Sequence, residues 1–235
     1  DAITLTYIPS YLDMYTSADY WLGAFPGDQS NGYRQQTHEL RATGQHGWGK
    51  WLAGLYYYDL TSHGIFSFGG FDLSTAMFPV SIVDENHLRG SAFFGEATYD
   101  LSDRLRVTLG GRYQQDDRTA NGRYFNGFGL APYDYDEGFS NFDYKAGVEF
   151  DVNDHVMVYA QTQTGYQPGT FNGFASSPAL SNAVDSADIT AYTIGSKARV
   201  FDGRLQVNDE LFYYTYDNLI ASAYNTVTNS NLSFN

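Results

Sequence analysis

Three acidic residues close together in the chain are its candidates for coordinating a metal ion. Asp134, Asp136 and Glu137 lie within four consecutive positions. Carboxylate oxygens are the ligands that hard divalent cations prefer, although this spacing matches no defined calcium-binding loop. We therefore treat the cluster as a candidate cation site, with a solvated acidic surface as the alternative.

Aromatic rings interleaved with amide side chains are the candidates for binding an organic ligand. Rings and amides together suit stacking on a sugar or an aromatic molecule. The set comprises Tyr124, Phe125, Asn126, Tyr133, Tyr135, Phe171 and Asn172. The alternative is that these rings pack neighbouring loops against one another.

Catalysis has no comparable support in the sequence. The five histidines lack metal-ligand spacing, there is no cysteine, and neither a nucleophile motif nor a phosphate-binding loop occurs. We expect neither an enzymatic activity nor a cofactor.

The overall composition excludes several classes of protein. The 235 residues carry a formal net charge of −14, and 17% of them are aromatic. The acidic balance disfavours nucleic-acid binding, which needs a basic surface, and the aromatic content argues against disorder. No apolar run approaches the ~20 residues of a membrane-spanning helix.

Period-two alternation of apolar and polar residues predicts an all-β chain. Strands are expected near residues 2–12, 34–44, 48–59, 88–101, 104–115, 139–152, 155–166, 189–201 and 204–217, with a tenth beginning after Asn229. Short turns alternate with long loops at 13–33, 60–87, 116–138 and 167–188, which hold 13 acidic and two basic residues. Long strands joined in this way predict an antiparallel up-and-down transmembrane β-barrel with an acidic mouth.

The short turns fix the strand register and so test the alternation. A two-residue type I′ turn at Asp202-Gly203 places Ile194 opposite Leu211 on an apolar face. Three-residue turns at 102–104 and 153–155 place Leu101 opposite Leu105 and Val152 opposite Val156. The other face of each hairpin is polar. Arg112 and Gln114 lie on it, where they would line a substrate path or form part of a wet wall.

One residue conflicts with the apolar face. Asp209 falls on it, opposite Ser196, and a carboxylate in the middle of a bilayer is unfavourable. Either a β-bulge shifts the register locally, or an additional membrane or lipoprotein subunit covers this patch.

Four stretches resemble the barrel of TonB-dependent receptors. They are KWLAGLYYYD at 50–59, AFFGEATYDLSDRLRVTLGGRY at 92–113, FSNFDYKAGVEFDVNDHVMVYAQTQTGYQPGTFN at 139–172 and ITAYTIGSKARVFDGRLQVNDELFYYTYDNL at 189–219. The most specific parts are the strand–turn–strand unit at 99–113 and the GYQPGTFN step at 165–172.

The resemblance implies an outer-membrane transporter of a Gram-negative bacterium. Its small-molecule ligand would be a scarce nutrient: a ferric siderophore, an oligosaccharide, an aromatic compound or a cobalamin-like ligand. Its partners would be outer-membrane lipid, lipopolysaccharide and, through a plug domain, the TonB complex. Such a barrel has about 22 strands, so residues 1–235 are expected to form a nine- to ten-strand part of it, without the plug or the C-terminal strands. The alternatives are a passive porin and a soluble β-rich binding module.

Overall fold

The computed structural model describes residues 2–22, 25–68, 80–125, 130–171, 183–225 and 230–234, almost all of them in β-strands. The strands are β1 Thr4–Leu22, β2 Phe25–His46, β3 Gly49–Phe68, β4 Val80–Ser102, β5 Leu105–Phe125, β6 Leu130–Asn153, β7 Val156–Gln167, β8 Thr170–Phe171, β9 Ala183–Val184, β10 Ala187–Val200, β11 Leu205–Asp217, β12 Ala221–Asn225 and β13 Ser230–Phe234. Within these ranges there is no helix of the length and apolar character needed to cross a membrane.

Nine of the strands form one antiparallel sheet. Its order is β1-β2-β3-β4-β5-β6-β7-β10-β11, so that each of these strands pairs with its neighbours along the chain. Two small hairpins, β8–β9 and β12–β13, stand apart from it. The predicted all-β, up-and-down portion of a larger barrel is confirmed. The strand expected after Asn229 is β13, which pairs with β12 rather than extending the main sheet.

The turn between β10 and β11 has the predicted type I′ geometry. Asp202 and Gly203 both have positive φ values, 54° and 81°, and the amide of Arg204 donates to the carbonyl of Phe201 at 3.1 Å. The ladder beyond the turn pairs Ile194 with Leu211, as predicted.

The two predicted three-residue turns are wrong by one position. Ser102 pairs with Leu105, and Asn153 pairs with Val156, each beside a β-bulge. The bulges leave Leu101 and Val152 outside the ladder. The side-chain oxygen of Ser102 accepts from the amide of Leu105 at 3.1 Å, and that of Asn153 accepts from the amide of His155 at 2.9 Å. Such hydrogen bonds from a backbone amide to a nearby Ser or Asn side chain favour tight turns.

In three of the four predicted long loops the described residues continue the paired strands. β1 and β2 remain in register as far as Leu22 opposite Phe25, and β5 and β6 as far as Phe125 opposite Leu130. β3 and β4 pair as far as Phe68 opposite Val80. Alternation of residue type disappears along these extensions because neither face meets lipid there. The strands remain paired because the backbone N–H and C=O groups still need hydrogen-bond partners. In the fourth interval the described part includes β8 and β9.

The main sheet has an apolar outer face. The side chains of Leu55, Phe93, Leu109, Phe142 and Ile194 point to this face and are 56–63% exposed. On β5 the outer face is apolar from Leu105 to Tyr113 and becomes polar at Gln115. A one-layer wall with an exposed apolar band is the arrangement expected of strands that cross a bilayer.

The opposite, inner face carries paired charges. Arg106 donates to Glu149 at 2.9 Å and to Asp151 at 2.6 Å, and Lys145 donates to Glu96 at 2.9 Å. These contacts join β4, β5 and β6 across the sheet. The polar face predicted from the sequence is thus a network of cross-strand ion pairs.

Asp209 lies on the outer face without any local change of register. The β10–β11 ladder is continuous, and Asp209 pairs with Ser196, whose hydroxyl donates to the carboxylate at 2.6 Å. The predicted β-bulge is therefore wrong. Coverage by a further subunit stays a prediction.

Candidate functional site

A cavity of about 310 Å³ lies on the inner face, beyond the level of the apolar band. Its wall comes from the extended parts of β3, β4, β5 and β6 and from the β8 strand. The lining residues are Leu60, Ser62, Ile82, Asp84, Asn86, Leu88, Arg118, Tyr133, Thr170 and Phe171. The volume is at the lower end of the range for small-molecule sites.

Phe171 closes one side of the cavity because the β8–β9 hairpin folds against the inner face. Its ring centroid is 5.7 Å from that of Tyr133 and 5.2 Å from that of Tyr135. Val184 of β9 and Tyr135 are both buried. The hairpin is thus held mainly by aromatic packing.

Arg118 is a partly buried cation at the edge of the cavity. Its Nη1 donates to the carbonyl of Gly169 at 3.2 Å, and its guanidinium lies 5.5 Å from the Phe171 ring centroid. Its Nε is buried and makes no hydrogen bond. Burial lowers the pKa of Arg118, and no carboxylate in the described ranges forms an ion pair with it.

Asp84 and Asn86 line the cavity from β4, where Asn86 is a diagonal neighbour of Arg118 in the β4–β5 ladder. The Asn86 amide nitrogen donates to the Asp84 carboxylate at 2.6 Å, which leaves Asn86 Oδ1 buried without a partner. Burial raises the pKa of Asp84, and the Asn86 hydrogen bond and the charge of His63 oppose that rise. The two unpartnered atoms, Arg118 Nε and Asn86 Oδ1, are buried and not open to the cavity.

A second polar network lies next to the cavity on the inner face. The Arg112 guanidinium donates to Gln114 at 2.7 and 2.9 Å. The Gln114 amide donates to both oxygens of Asp116, at 3.0 and 2.9 Å. The Tyr58 hydroxyl also donates to Asp116, at 2.6 Å. Asp116 is 1% exposed, so these donors replace the water that its carboxylate loses on burial.

A family model described as TonB dependent receptor-like, beta-barrel, matches residues 2–235. The chain belongs to this family of TonB-dependent receptor barrels. No curated protein matches it.

Solved structures of receptors share the fold of this TonB-dependent receptor barrel. The ferric yersiniabactin uptake receptor FyuA from Yersinia pestis superimposes with a TM-score of 0.84 at 16% identity, over 93% of this chain and 34% of that one. The siderophore receptor PiuA from Acinetobacter baumannii superimposes with a TM-score of 0.65 at 16% identity, over 90% of this chain and 37% of that one. The ferric-catecholate import receptor Fiu from E. coli K12 superimposes with a TM-score of 0.60 at 13% identity, over 98% of this chain and 40% of that one. The chain thus spans little more than a third of these receptors.

The structure brings together part of the predicted ligand set. Tyr133 and Phe171 line the cavity, and Tyr135 packs on Phe171. Arg112 and Gln114 lie in the adjacent Asp116 network instead. The backbones of Tyr124 and Phe125 pair with Ala131 and Leu130 at the end of β5. Asn126 and Asn172 lie outside the described residues.

The predicted metal residues do not converge in this receptor barrel. All three are exposed members of β6, where Asp134 and Asp136 share one face and Glu137 lies on the other. Among the residues that the structure describes, no group of three potential ligands is suitably placed for a metal ion.

Sequence reasoning did not single out the cavity's polar groups. In the sequence Asp84 and Arg118 are two of the charged residues of the long loops, and Asn86 has no distinguishing feature. The signal that could have identified them is their common parity on β4 and β5, because residues of one parity share a face when the strands are extended through the expected loops.

Proposed function

We propose that the protein takes up a small organic nutrient across the outer membrane of a Gram-negative bacterium. The cavity beside Arg118 is the observation that carries this proposal beyond family membership. It combines aromatic and aliphatic walls with a few polar residues, Asp84, Asn86 and Arg118, which is the usual composition of a small-molecule site.

The position of the cavity along the strands supports capture from outside the cell. The short turns lie at one end of the sheet and the extended hairpins at the other. In outer-membrane barrels the short turns are periplasmic and the long connections extracellular. The cavity, on the side of the extended hairpins, would then face the medium. The apolar outer face would contact outer-membrane lipid and lipopolysaccharide.

Energy for uptake would come from TonB through a plug domain inside the complete barrel. The inner face has polar groups available for such a domain, and several of its charged groups near the short turns are paired with one another, as in the contacts of Arg106 and Lys145. A wall of satisfied charges lets an internal domain move without exposing unpaired ions. The matched solved proteins are transport receptors, and we propose the same role here rather than an enzymatic one.

The ligand belongs to one of four classes: ferric siderophores, oligosaccharides, aromatic compounds or cobalamin-like molecules. The names of the matched receptors include siderophores. At identities of 16% or less, however, the likeness supports a shared fold and not a shared ligand.

Growth and uptake assays test the proposed transport. The full-length gene is deleted, and the mutant is compared with the parent under separate limitation of iron, cobalamin, and oligosaccharide or aromatic carbon sources. We expect growth on one of these nutrients, and its uptake, to require both the gene and TonB. Uptake that persists in a strain without TonB, together with ion conductance of the purified protein in planar bilayers, would instead establish a passive porin.

A further inference from the structure

A groove on the outer face of the sheet crosses the edge of the apolar band that lies farther from the short turns. Two cavities, of about 450 and 430 Å³, meet there and share Tyr57, Ser91 and Gln115 as lining residues. We refer to the two cavities together as the rim groove. Because it continues the lipid-facing surface, its candidate occupant is a membrane lipid, an inference that rests on the outer-membrane location in the proposed function.

The rim groove exists because a short side chain lies between two long ones. The ladders place Ser91 beside Tyr57 on β3 and beside Gln115 on β5. Residues that are paired across neighbouring strands share a face of the sheet, so all three side chains lie on the outer face. Ser91 is much the shortest of them, and a ring at this position would fill the groove.

One wall of the rim groove is held in place by its own contacts. The Tyr7 hydroxyl lies 2.7 Å from His38 Nδ1. The His38 ring stacks with those of Tyr7 and Tyr57, at centroid distances of 6.1 and 6.3 Å. The Tyr57 hydroxyl also donates to Asp59 at 3.3 Å. An occupant therefore meets side chains that are already ordered, which lowers the entropy lost on binding.

The half of the rim groove nearer the short turns is apolar. Its lining includes Leu40, Leu55 and Phe93, whose side chains are 47%, 56% and 60% exposed. These residues belong to the apolar band, and hydrocarbon covers such a band in a membrane. The matching part of an occupant is an acyl chain.

The half nearer the extended hairpins is polar. Arg89 and Asp117 line it and lie opposite each other in the β4–β5 ladder. Both are exposed, and no ion pair in the described ranges includes either of them. This half therefore presents a cationic donor and an anionic acceptor side by side.

A donor beside an acceptor suits the hydroxyl groups of a sugar. A hydroxyl both donates and accepts hydrogen bonds, so neighbouring hydroxyls of one ring can accept from Arg89 and donate to Asp117. Hydrogen bonds with one charged partner are about twice as strong as those between neutral groups. A phosphate would pair with Arg89, but the adjacent Asp117 carboxylate would repel it. The polar half thus favours a neutral sugar over the headgroup of an anionic phospholipid.

We propose that the rim groove binds a glycolipid of the outer leaflet. An acyl chain lies against Leu55 and Phe93, and sugar hydroxyls contact Arg89 and Asp117. In a Gram-negative outer membrane the lipid with this chemistry is lipopolysaccharide, whose anchor is an acylated sugar, and an unphosphorylated part of that sugar meets Asp117. The rim groove and the cavity beside Arg118 lie on opposite faces of the sheet, so this lipid is distinct from the transported nutrient.

Native mass spectrometry of the delipidated full-length receptor tests the assignment. The probes are monogalactosyl diacylglycerol, which carries a neutral sugar, and phosphatidylglycerol with the same acyl chains. We expect one saturable site that binds the glycolipid at least about tenfold more tightly than the phospholipid, because only the sugar satisfies both charged groups. Lipid A, the acylated-sugar anchor of lipopolysaccharide, should displace the glycolipid. Equal binding of the two probes, tighter binding of phosphatidylglycerol, or no displacement by lipid A overturns the inference.

Filling the rim groove tests its location. Ser91→Phe is expected to abolish the saturable site. Ala97→Phe adds the same ring on the same face of β4, within the apolar band, and the site should survive in it. A saturable site that persists in Ser91→Phe, in protein that migrates as folded on unheated gels, contradicts the assignment.

The charged residues test the choice of headgroup. Asp117→Asn removes the carboxylate that repels phosphate, so it should strengthen the binding of phosphatidylglycerol and weaken that of the glycolipid. Arg89→Gln should weaken the binding of both lipids. Asp134→Asn and Arg123→Gln make the same changes at exposed positions outside the groove, and neither affinity should change. Unchanged binding of phosphatidylglycerol in Asp117→Asn contradicts the role assigned to this carboxylate.

Uptake assays separate this inference from the proposed function. If the gene supports TonB-dependent uptake of a nutrient but the receptor does not distinguish the two lipids, the inference is wrong and the uptake function stands. If the glycolipid binds as expected but no nutrient requires the gene, the uptake function is wrong and the lipid site stands.

Discussion

The outer face of the sheet can be tested by placing a charge at the centre of its apolar band. On β5 the band extends from Leu105 to Tyr113, with Leu109 at its midpoint. Eight intervals at about 3.3 Å give roughly 26 Å of strand, which a tilt of about 40° shortens to roughly 20 Å. That length is close to the ~25 Å apolar band of outer-membrane barrels. Leu109→Arg therefore places a guanidinium near the bilayer midplane.

The stability that this substitution is expected to remove depends on how deep in the bilayer the residue lies. Arginine on the lipid face destabilises a barrel by about 2–4 kcal/mol at the midplane and by about 0–1 kcal/mol near the interfaces. At 1.4 kcal/mol per factor of ten, the midplane cost lowers the folding equilibrium constant by roughly 30-fold to 1,000-fold. Leu101 provides a matched control, because it is also 61% exposed but lies at the edge of the band, beside the short turn.

The assay is urea-dependent folding of the full-length receptor into lipid vesicles, followed by tryptophan fluorescence and by migration on unheated gels. Leu109→Arg should lose at least 1 kcal/mol more stability than Leu101→Arg. Equal and small losses at the two positions would show that the band faces water. The one-layer membrane wall would then be refuted.

Three further predictions concern the inner face. Tyr58→Phe removes a donor to the buried Asp116 carboxylate and should destabilise the receptor by about 1.5–3 kcal/mol. Thermal unfolding measures this loss, with Tyr56→Phe as the control. An unchanged unfolding midpoint in Tyr58→Phe would contradict the role assigned to this hydrogen bond. Burial raises the pKa of Asp84 above 3.8, so the folded state holds this proton more tightly, and stability falls as the pH rises from 3.8 through the folded pKa. Asp84→Asn should remove that part of the pH dependence in denaturant titrations, and an identical slope in the variant would contradict it. Phe171→Ala should release the β8–β9 hairpin from Tyr133, Tyr135 and Arg118, and faster hydrogen exchange at Thr170, with no change at Leu109, is the expected result.

The part of the fold predicted from the sequence is the part that crosses the membrane. Lipid on one side and polar groups on the other enforce alternation of residue type, so registers such as Ile194 opposite Leu211 were predictable and are confirmed. The bulges at Leu101 and Val152 were missed because a single side-chain oxygen, on Ser102 or Asn153, decides the turn length. Alternation is too coarse a signal for that choice.

The candidate site was predicted less completely for a related reason. Rings such as Tyr133 and Phe171 stand out by residue type, and their contact is confirmed. Arg118 and Asn86 become notable only when they are buried without a full set of partners. Burial in the extended hairpins depends on how β8–β9 folds back over the wall, which no local pattern in the sequence specifies.

The extension of paired strands beyond the membrane band changes where specificity is expected. In a barrel with flexible loops, a ligand would have to order those loops and offset their conformational entropy, at about 1–2 kcal/mol for each residue that becomes fixed. Here Asp84, Asn86 and Arg118 are held by continuous ladders between β3 and β6, so the backbone that carries the polar residues of the cavity is fixed before the ligand arrives. Among the described elements that line the cavity, the β8–β9 hairpin, with two described residue pairs, depends chiefly on side-chain contacts for its position. Substitutions on β4 and β5 should therefore alter which ligand binds, whereas substitutions that loosen β8–β9 should alter how tightly any ligand is held.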